Sequence, residues 1–373
     1  MLKYLKKDPV LFISGILAIV SCFFVHPDQE YLAYIDWRVL GILFSMMLVV
    51  AELVRIGLFK RLTDMLLARV HSSGAVSLIL VWLCFFMGMI LTNDVTLVTM
   101  VPFAIGVMTS FGDRKNTTYT LILMTVAANL GSMQTPIGNP QNLYLYTRYS
   151  VPLGDFLKLM LPYSLLSLAL VSLAVFILCR KGGSSKRESG TSAPLNKPRL
   201  IISLLLFLCC LLVVARVIDY RIVLAVLIAA MLVIDRKAFH YVDFTLLITF
   251  IFFFVFVGNM GRIDAVKDVI GNVVGSAPVL TAVLSSQVIS NVPAALLLSA
   301  FTDNSDALII GTNLGGLGTL IASMASLITY KFHSAMPKSE DKKTPGYIPA
   351  FSIINIIFLA ILFGLYLLLG RLH

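Results

Sequence analysis

The stretch NLGSMQT, residues 129–135, recurs as NLGGLGT at residues 313–319. The offset of 184 residues between the two stretches is kept by three later pairs: Ile137 and Ile321, Leu143 and Leu327, and Tyr146 and Tyr330. Further correspondences link Thr92-Asn93 to Ser290-Asn291, Asp36 to Asp243, and Arg55 to Arg262. These matches predict that the chain consists of two related halves.

The composition indicates that both halves are solvated by a lipid bilayer. Of the 373 residues, 58% are hydrophobic and 13% are charged, whereas a soluble domain carries about 25% charged residues. The mean hydropathy is +0.93, and long apolar runs recur from residue 9 to residue 369. We therefore predict an all-α polytopic membrane protein, which argues against a soluble enzyme, a nucleic-acid-binding protein and a secreted disulfide scaffold.

The sequence lacks motifs for a bound metal or prosthetic group. Its five cysteines and five histidines form no CxxC, HxxxH or HExxH pattern. We therefore expect no resident cofactor, and a sodium ion or a proton would serve only as a coupling ion.

The loop charges predict the orientation in the cell membrane. One set of alternate loops holds 20 of the 29 Lys and Arg residues, and the other set holds eight. The positive-inside rule places the richer set in the cytoplasm, so the N-terminus is predicted to lie inside and the C-terminus outside. The net charge of +10 thus reflects the orientation of the chain in the membrane and does not indicate a nucleic-acid partner. The nine predicted crossings are residues 9–25, 37–58, 117–147, 156–179, 200–215, 220–234, 244–259, 307–330 and 349–370.

Two further apolar segments, 75–110 and 277–301, have flanks that fall on one side of the membrane. Polar residues interrupt each of them, Thr92-Asn93-Asp94 in the first and Ser290-Asn291 in the second. We predict re-entrant helical hairpins whose tips are buried in protein or line a wet cavity. The alternative is two full spans per hairpin, for which the first segment is long enough and the second is too short.

One additional helix separates the halves and gives them opposite orientations. Each half reads as helix, helix, hairpin, broken helix and helix. Inverted repeats with paired broken helices indicate a secondary transporter whose site lies near the middle of the bilayer. The predicted boundaries are 1–180 for the first repeat (hairpin 75–110, broken helix 117–147), 181–199 for a cytoplasmic linker, 200–216 for the connecting helix, and 217–373 for the second repeat (hairpin 277–301, broken helix 307–330).

Each interruption begins a new half-helix at the predicted midplane. Asn93, Asn139 and Asn291 are suitable N-cap residues, and a helix N-terminus attracts anions without a buried lysine. Unwound carbonyls at residues 131–138 and 315–318 can coordinate a cation. The alternative is that the glycines and prolines only permit tight helix packing, although Asn, Gln and Thr accompany them.

Two acidic residues, Glu52 and Asp94, fall inside apolar segments, where an ionised group is costly. Asp94 at the first hairpin tip is the better candidate for coupling to protons or a cation. The alternative is a carboxylate that interacts only with the dipole of its own helix. Glu52 lies one turn from Arg55, so an ordinary ion pair or a snorkelling side chain is favoured there.

Four segments, LTNDVTLVTMVPF, GSMQTPIGNPQN, SQVISNVP and GTNLGGLGT, resemble signature segments of the ion transporter superfamily. That group includes citrate transporters, arsenite permeases, NhaD-type sodium/proton antiporters and divalent anion:sodium symporters. The resemblance implies a scaffold domain, a mobile transport domain with both hairpins, elevator-type alternating access and a homodimer. Sodium-coupled members bind sodium and a substrate carboxylate with Ser-Asn-Thr tips, whereas the tips here read Thr-Asn-Asp and Ser-Asn-Val.

We therefore predict a secondary active transporter of a small anion, coupled to sodium or protons. The alternatives are a sodium/proton antiporter that uses Asp94 and an efflux permease for arsenite-type oxyanions. An intramembrane enzyme is disfavoured because the sequence has no GxSxG motif and no histidine within an apolar run. A passive channel is a weaker rival, and flux without saturation or ion coupling would identify it.

The predicted partners are a small anionic substrate, bilayer lipids and a second copy of the chain, with no nucleic acid. The predicted sodium ligands are Asn93, Gly138, Asn291 and Gly316. The full set of predicted substrate- and ion-binding residues is Thr92, Asn93, Asp94, Thr135, Gly138, Asn139, Asn142, Ser290, Asn291, Asn313, Gly316 and Thr319.

Overall fold

A computed structural model describes residues 9–67, 70, 72–179, 195–337 and 346–370, and every regular element within these ranges is a helix. Five of the helices are long and apolar enough to cross a membrane, or six if one bent pair is counted as a single span. The predicted all-α polytopic class is therefore confirmed. Most of the predicted linker, the first eight residues and the last three lie outside the described residues.

Within the described residues, the first half contains nine helices, including two short ones that the hydropathy pattern did not indicate. In chain order its helices are α1 (Pro9–Phe24), α2 (Glu30–Tyr34), α3 (Trp37–Ile56), α4 (Leu58–Leu67), α5 (Ser73–Leu91), α6 (Asn93–Thr109), α7 (Arg114–Ser132), α8 (Pro140–Arg148) and α9 (Leu153–Leu178).

The second half follows the connecting helix and has a comparable series of elements. In chain order the helices are α10 (Lys197–Val214), which makes the connection, α11 (Tyr220–Ile234), a 3-10 helix (Arg236–Tyr241), α12 (Phe244–Met260), α13 (Asp264–Ser276), α14 (Pro278–Ile289), α15 (Asn291–Leu298), α16 (Ser305–Leu314), α17 (Met324–Ser334) and α18 (Tyr347–Leu369).

Capping side chains set where corresponding helices begin. Asp36 accepts a hydrogen bond from the N–H of Val39 at 3.0 Å and caps α3, and Asp243 accepts one from Leu246 at 3.0 Å and caps α12. Asp113 caps α7 in the same way. These caps explain why α7 begins before the predicted residue 117: its first turn is polar, and hydropathy alone does not detect it.

The predicted crossings and hairpins leave residues 59–72 and 262–276 as loops, and this assignment is wrong in part, because each segment contains an amphipathic helix. In α4, LFKRLTDMLL, charged residues interrupt the apolar ones, so a reading based on loop charge takes the segment for a loop. In the second half α13 meets α14 at an angle of 115°. Amphipathic helices in these positions are typical of segments that lie along the membrane interface.

The predicted hairpins and the count of nine crossings stay predictions. The arms α5 and α6 pack against each other across the single non-helical residue Thr92, as hairpin arms do. However, α5 has 19 residues and is also long enough to cross a membrane by itself. The helices α1, α11 and α12 have 16, 15 and 17 residues, and these lengths lie at or below the lower limit of about 17 for a full crossing.

The two halves interlock at the centre of the molecule. Helix α8 packs against α15 and α16 of the second half, and its counterpart α17 packs against α6 and α7 of the first. We call α5–α8 and α14–α17 the central group. A peripheral group, α1–α3 and α10–α12, is held together by packing of α1 on α12 and of α3 on α10 and α11. The two groups meet where α3 contacts α8 and α12 contacts α15.

Candidate functional site

The two hairpins turn at residues with the same unusual backbone conformation. Thr92 has φ 93° and Ser290 has φ 73°. Both values lie in a region that favours glycine, so each tip stores strain of about 1–3 kcal/mol. The helical conformation begins one residue later, and Thr92 and Ser290 therefore occupy the N-cap positions that we predicted for Asn93 and Asn291.

The predicted cap at Asn139 is confirmed. Its Oδ1 atom accepts a hydrogen bond from the N–H of Asn142 at 2.9 Å, and Pro140 follows in the first turn of α8. Proline has no N–H, so it fits the first turn of a helix, where a backbone N–H would have no carbonyl partner within the helix.

Each hairpin tip is bonded to the break of the broken helix in its own half. The backbone N–H of Asn93 donates to the carbonyl of Gly138 at 3.1 Å, and that of Asn291 donates to the carbonyl of Ala322 at 3.0 Å. Gly138 and Ala322 are related by the offset of 184 residues. Hydrogen bonding at the two tips therefore follows the repeat seen in the sequence.

The predicted residues Thr135 and Thr319 make a second corresponding pair of bonds. Thr135 Oγ1 donates to the carbonyl of Met89 at 2.5 Å, and Thr319 Oγ1 donates to that of Gln287 at 3.3 Å. Both threonines thus tie a break to a hairpin arm. Thr319 is exposed, and its hydroxyl is not bonded to the buried amides described next.

Five buried asparagines where the two halves meet form two hydrogen-bonded groups that Ser132 links, since Ser132 Oγ accepts from Asn139 Nδ2 at 3.1 Å and donates to the backbone carbonyl of Asn129 at 2.8 Å. Asn93 Nδ2 donates to Asn129 Oδ1 at 2.9 Å, and Asn139 Nδ2 donates to Asn313 Oδ1 at 3.0 Å. Asn313 Nδ2 in turn donates to Asn142 Oδ1 at 2.6 Å. None of these side chains is more than 6% exposed. We call Asn93, Asn129, Asn139, Asn142 and Asn313 the asparagine network.

The contacts that cross between the halves are themselves related by the repeat. Asn139 of the first half donates to Asn313 of the second, and Ser323 of the second half donates to Asn129 of the first at 3.1 Å. Asn129 corresponds to Asn313, and Asn139 corresponds to Ser323, in both cases at an offset of 184 residues. Asn129 and Ser323 are not among the predicted site residues, although applying the offset of 184 to Asn313 and Asn139 gives both positions.

The rest of the predicted site lies beside the network. Asn291 Oδ1 accepts from the N–H of Val292 at 2.9 Å, and its amide nitrogen would lie 3.0 Å from a Cβ placed on Gly316. Gln287, also missed, donates to the carbonyls of Gly315 and Leu317 at 2.9 Å each. Two of the predicted sodium ligands, Asn291 and Gly316, are thus in contact, as Asn93 and Gly138 are.

Close packing accounts for some of the glycines at the breaks. Gly131 lies against the backbone of Phe85, where a Cβ would collide with the carbonyl of that residue. This supports the helix-packing alternative for Gly131. It does not explain why buried amides surround the same break, since buried polar groups in an apolar core destabilise it unless they are paired.

Asp94 differs from the other residues at the tips. It is half-buried, and its Oδ1 atom is enclosed without a hydrogen-bond partner among the described residues. The backbone N–H of Asp94 donates to Asn93 Oδ1 at 3.0 Å. The corresponding position in the second hairpin is Val292, so the acid belongs to one tip alone.

Glu52, the other acid in an apolar segment, belongs to an ion-pair cluster away from the tips. We favoured an ordinary ion pair, and the nearby Arg55 was the expected partner. The structure instead pairs Glu52 with Arg199 at the start of α10, while Arg55 contacts Asp235 at 2.8 Å. Arg199 also contacts Asp235. The partner was wrong because sequence spacing does not show that α10 packs on α3.

The arrangement can bind a small oxygen-rich molecule through neutral groups. Four half-helices, α6, α8, α15 and α17, begin around the network, and their dipoles favour negative charge at these ends. Amide side chains supply both donors and acceptors, and no Lys or Arg belongs to the network. Within the described residues no group of three His, Cys, Asp or Glu side chains could hold a metal ion.

A polytopic helical chain with paired helix breaks around a buried amide network has the architecture of a membrane transporter. Residues 5–312 match the family model CitMHS, described as citrate transporter. The chain therefore belongs to this citrate transporter family of the ion transporter superfamily, whose members are membrane transporters and not enzymes.

Full-length relatives agree with this assignment. The chain is 30% identical to the inner membrane protein YbiR of Escherichia coli over 334 residues, which cover 88% of this chain and 89% of YbiR. It is also 30% identical to the uncharacterized transporter MJ0456 of Methanocaldococcus jannaschii, with 86% and 88% of the chains covered. A shorter match, 28% identical over 41% of this chain and 27% of the relative, is to the putative transporter arsB of Dictyostelium discoideum.

Proposed function

We propose that the chain is a secondary active transporter of a small anion, coupled to sodium or protons, with the substrate held between the hairpin tips by the asparagine network. The observation that carries this proposal is the pair of cross-half contacts, Asn139 with Asn313 and Ser323 with Asn129. They place amides from both halves where four half-helices begin. A site shared by two repeats suits alternating access, because movement of the shared elements exposes it to each side in turn.

The chemistry of the network favours a small oxyanion over a multiply charged substrate. Dipoles, amides and hydroxyls would have to neutralise every substrate charge, since no cationic side chain takes part. The family description names citrate, and one relative, 29% identical over 44% of this chain and 33% of its own length, is the silicon efflux transporter LSI3 of rice. The compounds tested therefore include both citrate, which carries several charges, and silicic acid.

The wider proposal follows the family resemblance. The central group would move against the peripheral group in an elevator-type cycle, in a homodimer in the cell membrane with the N-terminus inside. The separate packing of the two groups, which meet through α3 with α8 and α12 with α15, supports such a division.

Transport by the purified protein in proteoliposomes tests the proposed function. We would measure uptake of arsenite, silicic acid, phosphate, sulfate and citrate under an imposed sodium or pH gradient. We expect saturable accumulation of at least one of the anions above its equilibrium level, and loss of that accumulation when an ionophore collapses the gradient. Accumulation of only silicic acid or arsenite, which are uncharged at neutral pH, would contradict the anionic charge of the proposed substrate. Flux that equilibrates without saturation or coupling would instead identify a channel, and no flux of any compound would contradict the proposal.

A second candidate function, exchange of sodium for protons, is favoured by Asp94. A carboxylate at a hairpin tip with an enclosed, unpartnered oxygen can bind a proton or a sodium ion in turn. Under this candidate the ion is the cargo and not merely the coupling ion.

Asp94→Asn is expected to abolish pH-dependent ion movement, because the amide is nearly the same size and does not titrate. The measurement is sodium flux into proteoliposomes across a range of pH. Asp155→Asn is the matched control, since Asp155 is also an acid in the first turn of a helix but its side chain is 65% exposed. Asp94→Asn exchange with the wild-type pH dependence would dismiss this candidate.

A further inference from the structure

A cavity of about 470 Å³ lies where the peripheral and central groups meet on the predicted outer side. Its peripheral wall comes from α2, the start of α3 and the end of α12. Its central wall comes from α8 and the residue Ala300, which follows α15 closely. The polar side chains that line it are Tyr34, Asp36, Tyr144, Arg148 and Arg262.

Arg148 is the basic residue of the lining that has no ion-pair partner among the described residues, and the lining acid, Asp36, lies at the N-terminus of α3, where the helix dipole favours its charge. The side chain of Arg148 is exposed and forms no hydrogen bond or ion pair with any described residue. Arg262, in contrast, donates to Asp28 at 2.7 Å and to Tyr34 at 3.0 Å, and it lies 3.4 Å from Glu30. Asp36 uses one carboxylate oxygen to cap α3.

Helix α8 links Arg148 to the proposed substrate site. Asn139 caps the beginning of α8, and Arg148 is its last residue. Nine helical residues span about 13 Å. This is the distance between Arg148 at one end of α8 and the asparagine network at the other. Tyr144 lies between them on the cavity wall, where its hydroxyl is 2.7 Å from Ser299 Oγ of the second hairpin segment.

We propose that this cavity is an outer vestibule in which Arg148 attracts and holds a small carboxylate or oxyanion before it reaches the asparagine network. A guanidinium presents parallel N–H donors that match two oxygens of such an anion. A charge at the mouth of a cleft also raises the local concentration of opposite charge. The attraction is a property of the cavity, whereas its use in uptake rests on the proposed function.

A cysteine reporter measures the electrostatic potential of the vestibule without any transport assay. Ala33 lines the cavity and is exposed, so Ala33→Cys is introduced after the five native cysteines have been replaced. The readout is the ratio of labelling rates with an anionic and a cationic methanethiosulfonate reagent. One positive charge about 10 Å away in water speeds labelling by the anionic reagent about twofold and slows labelling by the cationic reagent about twofold. Arg148→Gln is therefore expected to lower the ratio of the anionic to the cationic rate about fourfold at low ionic strength.

Lys158→Gln is the matched control for this measurement. It removes one positive charge from the same predicted side, at a side chain that is 82% exposed and lies outside the cavity. The ratio should stay within the error of the parent protein. The proposed vestibule is contradicted if Arg148→Gln leaves the ratio of labelling rates unchanged, or if Lys158→Gln lowers that ratio equally.

Uptake then tests whether the vestibule serves the site. For the anion that the wild type transports, we expect Arg148→Gln to lower uptake at subsaturating concentration about three- to tenfold, and 0.5 M salt to remove most of that difference. Arg148→Lys should restore the salt-dependent part, because the charge is kept. Equal uptake by Arg148→Gln and wild type contradicts recruitment by this residue, whereas absent uptake in the wild type contradicts the proposed function instead.

Discussion

Asn313→Ala is expected to lower coupled uptake about 10- to 100-fold. The amide of Asn313 accepts from Asn139 at 3.0 Å and donates to Asn142 at 2.6 Å, so its removal breaks the link between the halves and leaves the buried Asn142 Oδ1 without this partner. A buried polar atom left unsatisfied costs about 1–3 kcal/mol. Since the network is proposed to hold the substrate, we expect a loss of similar size in substrate binding, where each 1.4 kcal/mol corresponds to a factor of about ten. The measurement is the initial rate of gradient-driven uptake, normalised to the amount of folded protein in the vesicles.

Asn355→Ala provides the matched control. Asn355 is a buried asparagine in α18 whose amide donates to the carbonyl four residues earlier, Phe351, at 2.9 Å. Asn313 makes the same kind of bond to Ile309 at 2.7 Å. The two variants therefore remove the same local bond, and only one removes the network. We expect uptake by Asn355→Ala within about twofold of wild type, and comparable uptake by both variants would refute the role of the network.

Local features of the site could be predicted because the repeat is visible in the sequence. The offset between Asn129 and Asn313 also relates the hydrogen-bond acceptors Gly138 and Ala322, and it relates the cap Asn139 to Ser323. Polar residues within apolar runs need a partner or a function, so their positions alone indicated a site.

Contacts between distant segments could not be predicted in this way. That Asn139 would meet Asn313, and not Asn129 of its own half, depends on how α8 packs against the second hairpin. Sequence spacing carries no information about such packing. The same limitation hid the partner of Glu52, because Arg199 lies in a segment that the sequence predicts to be a loop.

Charge was also ambiguous as a signal for structure. Lys and Arg were assigned to loops, which gave an orientation but concealed α4 and α13, where charged residues lie on the polar face of a helix. Arg148 shows the opposite case. It was counted as one of eight residues on the predicted outer side, and its position at the mouth of a cavity became apparent only once α3, α8 and α12 were placed together.

Arg199→Ala is expected to have the largest effect on stability, a loss of about 3–5 kcal/mol in the free energy of unfolding. The Glu52 side chain is 0% exposed, and Arg199 contacts both of its carboxylate oxygens. Removing one partner of a buried ion pair leaves an uncompensated charge in an apolar surrounding, and such losses fall in this range. Asp235 keeps Arg55 as a partner, so the cost falls on Glu52.

The comparison of single and double variants isolates this cause. Glu52→Gln removes the buried charge, so the double variant Glu52→Gln/Arg199→Ala should recover most of the stability that Arg199→Ala loses. Arg236→Ala is the control for loss of an arginine in the same region, since Arg236 is exposed and, among the described residues, donates only to the carbonyl of Leu232. Unfolding by denaturant in detergent micelles gives the free energy of unfolding of each variant, which is compared with that of the wild type. A double variant no more stable than Arg199→Ala would show that the uncompensated charge of Glu52 does not cause the loss of stability.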